Sequence, residues 1–129
     1  MRGRNTGIEL AVFRELRRRG IYFVRHGASV VGRPDVVFRR CRLAVFVDGD
    51  FWHGRCLPKW QHKLSSAWRA KIERNIERDR EIDETLRRGG WRVVRLWGSE
   101  IESECSRCVA RIVRIRDRRC QELKRAKSS

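Results

Sequence analysis

Ile8, Val12 and Leu16 recur at helical spacing behind Thr6, and Glu9 stands three residues after that threonine. The pattern predicts a first helix opened by a capping box and stopped at Gly20. Ile21 to Val24 then reads as a short strand, and residues 26–34 (HGASVVGRP) read as a loop rich in Gly and small side chains. Two more apolar runs, Asp35 to Phe38 and Leu43 to Val47, flank a tight basic turn at Arg39–Arg42 and form an antiparallel hairpin. Residues 48–66 show no period and contain Asp48, Asp50, Phe51, Trp52 and His53. From Ala67 to Arg88 the stripe Trp68, Ile72, Ile76 and Leu86 predicts a long helix, which Gly89 and Gly90 break. WRVVRLW, residues 91–97, alternates basic and apolar positions as a fourth strand does. Ser99 with Glu102 makes a second capping box, and Ile101, Cys105, Val109 and Ile112 carry a basic helix to about residue 124.

No internal repeat or low-complexity linker interrupts this order, so residues 1–129 read as a single domain. The sequence α-β-β-β-α-β-α predicts an α/β fold in which a central mixed sheet is flanked by helices. Trp68, Trp91 and Trp97 fall on the apolar periods and are expected in the core.

Charge changes this picture from a generic sandwich to one with a partner. The chain carries 32 Lys and Arg against 16 Asp and Glu, a net charge of +16. A polyanion is the expected partner. The excess is uneven: residues 1–33 hold eight basic and two acidic groups, and residues 105–129 hold nine and two. The middle, residues 34–104, holds 15 basic and 12 acidic groups. Cations outside and carboxylates inside are the arrangement a metal-dependent nucleic-acid enzyme needs, because the same phosphates must be held and attacked. No run of 18 apolar residues is present, and no apolar leader is visible, so membrane association is excluded and a cytoplasmic, nucleoid-associated setting is expected. Five cysteines without a leader read as reduced thiols.

The hairpin supplies the candidate chemistry. Asp35 begins its outgoing strand while Val47 and Asp48 end the returning one, so all three reach the same end of the sheet. His53 follows soon after. Carboxylate oxygens, a backbone carbonyl and substrate phosphate suit Mg²⁺, one ion or two, and an imidazole beside them suits a general base.

These segments also carry a resemblance. GRPDVVF, LAVFVDGDFWHG, KIERNIERD and GGWRVVRLW, spread over roughly residues 2–97, resemble the very-short-patch repair endonucleases. The resemblance implies a restriction-endonuclease-like fold with an αβββαβ core and a strand-nicking activity on mismatched duplex DNA. It implies that Asp35 binds the metal, that the position of Val47 lends it a main-chain oxygen, and that His53 is the general base. Glu9 is implied to touch water at the metal, and Asp79 to orient the catalytic histidine. Phe51 and Trp52 are implied to wedge into the duplex, where unstacking costs least beside a mispair. Arg2, Arg4 and Arg33, with the basic C-terminal helix, are expected to contact the DNA backbone.

The chain also departs from that family. The positions that hold a structural zinc in its best-described members read Asp50, Arg55, Leu57 and Ser99 here, so that zinc is expected to be absent. A histidine of the family segment is replaced by Asp48, a further candidate metal ligand. Cys105-Ser-Arg-Cys108 is a lone pair of thiols short of a four-ligand site. Only eight residues precede Glu9, where the family sends an arm into the minor groove. The expectation is therefore a monomeric Mg²⁺-dependent endonuclease nicking double-stranded DNA at or beside a T:G mismatch, working alongside mismatch-repair proteins. Two alternatives stand beside it: a restriction or defence nuclease of the same fold, and a nucleic-acid-binding module with a weak metal site.

Overall fold

The computed structural model describes residues 6–27, 29–49 and 66–128. Within them the element order is α1 (Thr6–Arg18), β1 (Val24–Arg25), β2 (Val36–Phe38), β3 (Leu43–Asp48), α2 (Ser66–Arg88), β4 (Arg92–Trp97) and α3 (Gly98–Ser128). The sheet runs β1-β2-β3-β4, antiparallel at the first two junctions and parallel between β3 and β4. This is the mixed α/β sheet that the pattern predicts.

The strand β3 explains why its sequence is apolar on both faces. Leu43 and Val45 join the core beneath α1 and α3, which contribute Val12, Phe13, Leu16, Val109 and Ile112. Ala44 and Phe46 face the other way, against Leu86 and Ile82 of α2. A central strand covered by helices on both sides loses the polar alternation of a half-exposed one. On β4 the same alternation sends Val94 and Leu96 to the first core and Val93 to the second.

Helix ends follow the glycines. Ile21 N–H bonds back to the Leu16 carbonyl at 3.0 Å across Gly20, and Trp91 N–H to the Leu86 carbonyl at 2.9 Å across Gly90. At the start of α3 the capping register is two residues earlier than Ser99–Glu102. Glu100 accepts a hydrogen bond from the Trp97 N–H at 3.3 Å, because β4 leads into the helix without a loop. The helix then kinks at Glu104 (φ −143°, ψ 54°) and runs on to Ser128 rather than residue 124.

Three further expectations change. The first strand is Val24–Arg25 rather than Ile21 to Val24, since β2 offers only three residues to pair. Trp68 is not core: it is 47% exposed, with Lys71 Nζ 5.7 Å from its ring. A 23-residue helix is about 34 Å long and a six-residue strand about 20 Å, so the apolar stripe of α2 overruns the sheet it covers. Trp91 and Trp97 are half-buried. The cysteines are not all reduced, because Cys41 is disulfide-bonded to Cys120, 79 residues away. Packing brings the β2–β3 turn against α3, a proximity that odd cysteine number does not reveal. Cys105 and Cys108 are free, and burial pushes both thiols up from their ordinary pKa.

Candidate active site

The β1–β2 hairpin builds the site. Val24 pairs with Val37 and Arg25 with Val36. The same register continues past the strands, His26 N–H bonding to the Asp35 carbonyl and Gly27 N–H to the Pro34 carbonyl, each at 3.0 Å. His26 and Asp35 are therefore cross-strand neighbours at the mouth of the HGASVVGRP loop.

Asp35 is fixed from its other side by β3. Its Oδ2 accepts the Val47 N–H at 2.7 Å, and the residue is 5% exposed. Glu9 arrives from α1. It sits one turn before Phe13, so both share a helix face, and the Phe13 ring meets His26 edge-on with centroids 5.7 Å apart. Glu9 is 3% exposed, and its Oε1 lies 3.8 Å from His26 Nδ1. One donor atom each from Glu9, His26 and Asp35 fall within 4.8 Å of one another.

Two buried carboxylates that close repel. If both are ionised, the repulsion is roughly 3 kcal/mol at an effective dielectric constant of about 20. A divalent cation offsets it, and oxygen donors of this kind match a hard ion. The Glu9, His26 and Asp35 donor set thus fits a metal.

Asp48 lies elsewhere. The structure brings it to Arg95 of β4, whose Nη1 is 3.0 Å from each Asp48 oxygen. Asp48 is not among the donors of the Glu9–His26–Asp35 cluster. Arg95 also bonds Asp83 through Nε at 3.0 Å and Nη2 at 2.7 Å, and its guanidinium lies over the Phe46 ring at 4.2 Å. Asp79 belongs to the same group, its Oδ1 3.8 Å from Arg95 Nη1 and its carbonyl accepting from Nη2 at 3.4 Å. Burial alone would lower the Arg95 pKa, but the hydrogen bonds to Asp83 and the charges of Asp48 and Asp79 outweigh it and raise it. These acids line an open cleft of about 300 Å³ together with Ile76, Arg87 and Trp97.

Arg33 is exposed, in a left-handed conformation (φ 50°), its N–H bonded to the Val30 carbonyl at 3.0 Å. His53, Phe51, Trp52, Arg2 and Arg4 lie outside the described residues, as do Asp50, Arg55 and Leu57. Sequence reasoning missed His26 and Arg95. The signal for His26 was its position opposite Asp35 across the loop, and for Arg95 a lone cation at an inward position of a buried strand.

An αβββαβ sheet whose edge gathers acidic side chains defines a nuclease of restriction-endonuclease-like build. Comparison with known proteins narrows the class. Residues 1–59 match the family described as DNA mismatch endonuclease Vsr. The type II nicking enzyme V.NmeDIP of Neisseria meningitidis serogroup C is 33% identical over 117 residues, covering 86% of this chain and 77% of that one. The type II nicking enzyme V.HpaIIP of Haemophilus parainfluenzae is 32% identical over 103 residues, covering 78% and 73%. The DNA mismatch endonuclease Vsr of Escherichia coli K12 is 38% identical over 96 residues, covering 73% and 62%. The chain belongs to the Vsr endonuclease family, and it is a DNA endonuclease.

Proposed function

We propose that this endonuclease is Mg²⁺-dependent and nicks one strand of duplex DNA at or beside a T:G mismatch, in very-short-patch repair. The observation that carries the reading is the convergence of two buried carboxylates, Glu9 and Asp35, at the edge of a basic molecule. The names of the relatives, nicking enzymes and a mismatch endonuclease, support single-strand scission.

Asp35 and the Val47 carbonyl hold the metal in this reading. When bound, a divalent cation polarises the scissile phosphate and offsets the charge that develops on its oxygens. Glu9 holds the attacking water by hydrogen bond, and His53 takes its proton. Asp79 positions that imidazole. Water adds to phosphorus as the bond to the 3′ oxygen breaks, leaving a 5′-phosphate and a 3′-hydroxyl. Phe51 and Trp52 wedge beside the mispair, while Arg2, Arg4, Arg33 and exposed cations of α3 hold phosphates.

The test compares matched and T:G-mismatched duplexes, with Mg²⁺ or chelator. Nicking is expected on the mismatched duplex alone, lost with chelator and with Asp35→Ala, and slowed by about 10²–10⁴-fold in His53→Ala. Equal cutting of both duplexes favours the defence nuclease instead. Salt-sensitive binding without cutting under any metal overturns both.

A further inference from the structure

We propose that His26 is a metal ligand, so that the site is a mixed carboxylate–imidazole centre for the divalent cation. The inference rests on the metal-site reading above and adds a donor to it.

Three observations converge on His26. First, the extended hairpin register places it directly across from Asp35, held there by its own N–H on the Asp35 carbonyl at 3.0 Å. Second, its Nδ1 faces the Glu9 carboxylate at 3.8 Å, beyond hydrogen-bond length, and the three donors lie within 4.8 Å of one another. Third, its backbone is left-handed at φ 47°, a conformation that a non-glycine residue rarely adopts and that costs of itself. A histidine there keeps the strain and points an imidazole at two carboxylates, with the Phe13 ring set against its edge.

The ligand chemistry follows from the donor type. Imidazole nitrogen suits transition metals, whereas carboxylate, carbonyl and water oxygens suit Mg²⁺ and Mn²⁺, so Mn²⁺ serves as a spectroscopic probe for the oxygen-rich site with one nitrogen donor. His26 is also the open side of the cluster, its side chain 43% exposed against 4% for Glu9. It can therefore ligate while leaving an approach for phosphate.

The experiment uses the full chain with Mn²⁺ as the probe. Electron spin-echo spectra of the Mn²⁺-loaded protein report directly bound nitrogen, and calorimetric titrations give Mn²⁺ and Mg²⁺ affinities. Wild type is expected to show nitrogen modulation that His26→Asn removes and His53→Gln retains. His26→Asn is expected to weaken Mn²⁺ binding at least tenfold. Asn tolerates left-handed backbone, so the metal-free thermal midpoint of that variant is expected to hold or rise, which excludes simple misfolding. Nitrogen modulation that survives in His26→Asn, or is absent from wild type while Asp35→Asn abolishes Mn²⁺ binding, overturns His26 as a ligand and leaves the site. Unchanged Mn²⁺ affinity in Asp35→Asn overturns the metal-site reading itself.

Discussion

Gly32, in the GRPD segment, shows how much of the site rests on single atoms. Its φ is 80°, and an added Cβ would lie 2.6 Å from Ile82 Cγ2 and 3.3 Å from Phe46 Cζ. The loop before Asp35 can lie against α2 only because that atom is missing. Gly32→Ala is expected to destabilise the protein by about 2 kcal/mol in urea unfolding and to displace the Asp35 loop. Glu15 offers a different kind of test. Hydrogen bonds from Arg18 and then Arg19 lower its pKa from the ordinary 4.5 to about 2. A depressed carboxyl pKa contributes stability that is complete above 4.5 and lost as pH falls towards 2. Glu15→Gln should therefore flatten the acid limb between those values, as urea midpoints measured from pH 6 to pH 2 will show. Because the Arg18 partner is exposed, its share of the difference will shrink in high salt.

At the scale of elements, the junction of α2 with β4 turns on Arg95. One guanidinium serves Asp48 of β3 and Asp79 and Asp83 of α2 while stacking on Phe46. Without that cation, three acids face one another across a packed junction. Arg95→Met is expected to cost about 3 kcal/mol, the usual penalty for stripping a partner from a part-buried ion pair. Arg95→Lys, which keeps the charge but loses the fork, should cost less, and chemical denaturation of the two variants separates charge from geometry. The far end of α3 is tied down in a similar way. Arg119 donates to the carbonyls of Cys41 and Gly90. Part of the basic helix is thus occupied by the fold, while Arg107, Arg111, Arg114 and Arg118 remain exposed.

Across the whole molecule, the Cys41–Cys120 bond joins the β2–β3 turn to α3 and closes most of the chain into one loop. Chain-entropy reasoning sets an upper bound of about 4.5 kcal/mol on what such a loop contributes. Reductant is expected to lower the thermal midpoint of wild type, and Cys120→Ser to lower it without reductant. The variant should not respond to reductant further. No helix among the described residues is long and apolar enough to cross a membrane. The net charge of +16 suits the phosphate backbone of a DNA endonuclease's substrate.

Periodicity alone determined the helices and strands, because the spacing of Ile8, Val12 and Leu16, or the two-sided apolar run of Leu43 to Val47, admits few other structures. The hairpin pattern also singled out Asp35, an acid opening a buried strand, whereas Glu9 read locally as a capping-box residue and entered the site only through the family resemblance. The fold also decided three things that no local pattern contains. His26 became a neighbour of Asp35 through a hairpin register that an eight-residue loop leaves unspecified. Asp48 met Arg95 across a parallel pairing that forms only after α2 has crossed the sheet. Cys41 met Cys120 because α3 packs back over the first strands. Sequence patterns report which face a residue shares with its near neighbours; contacts 9, 47 or 79 residues apart depend on register and packing, and those are properties of the assembled sheet.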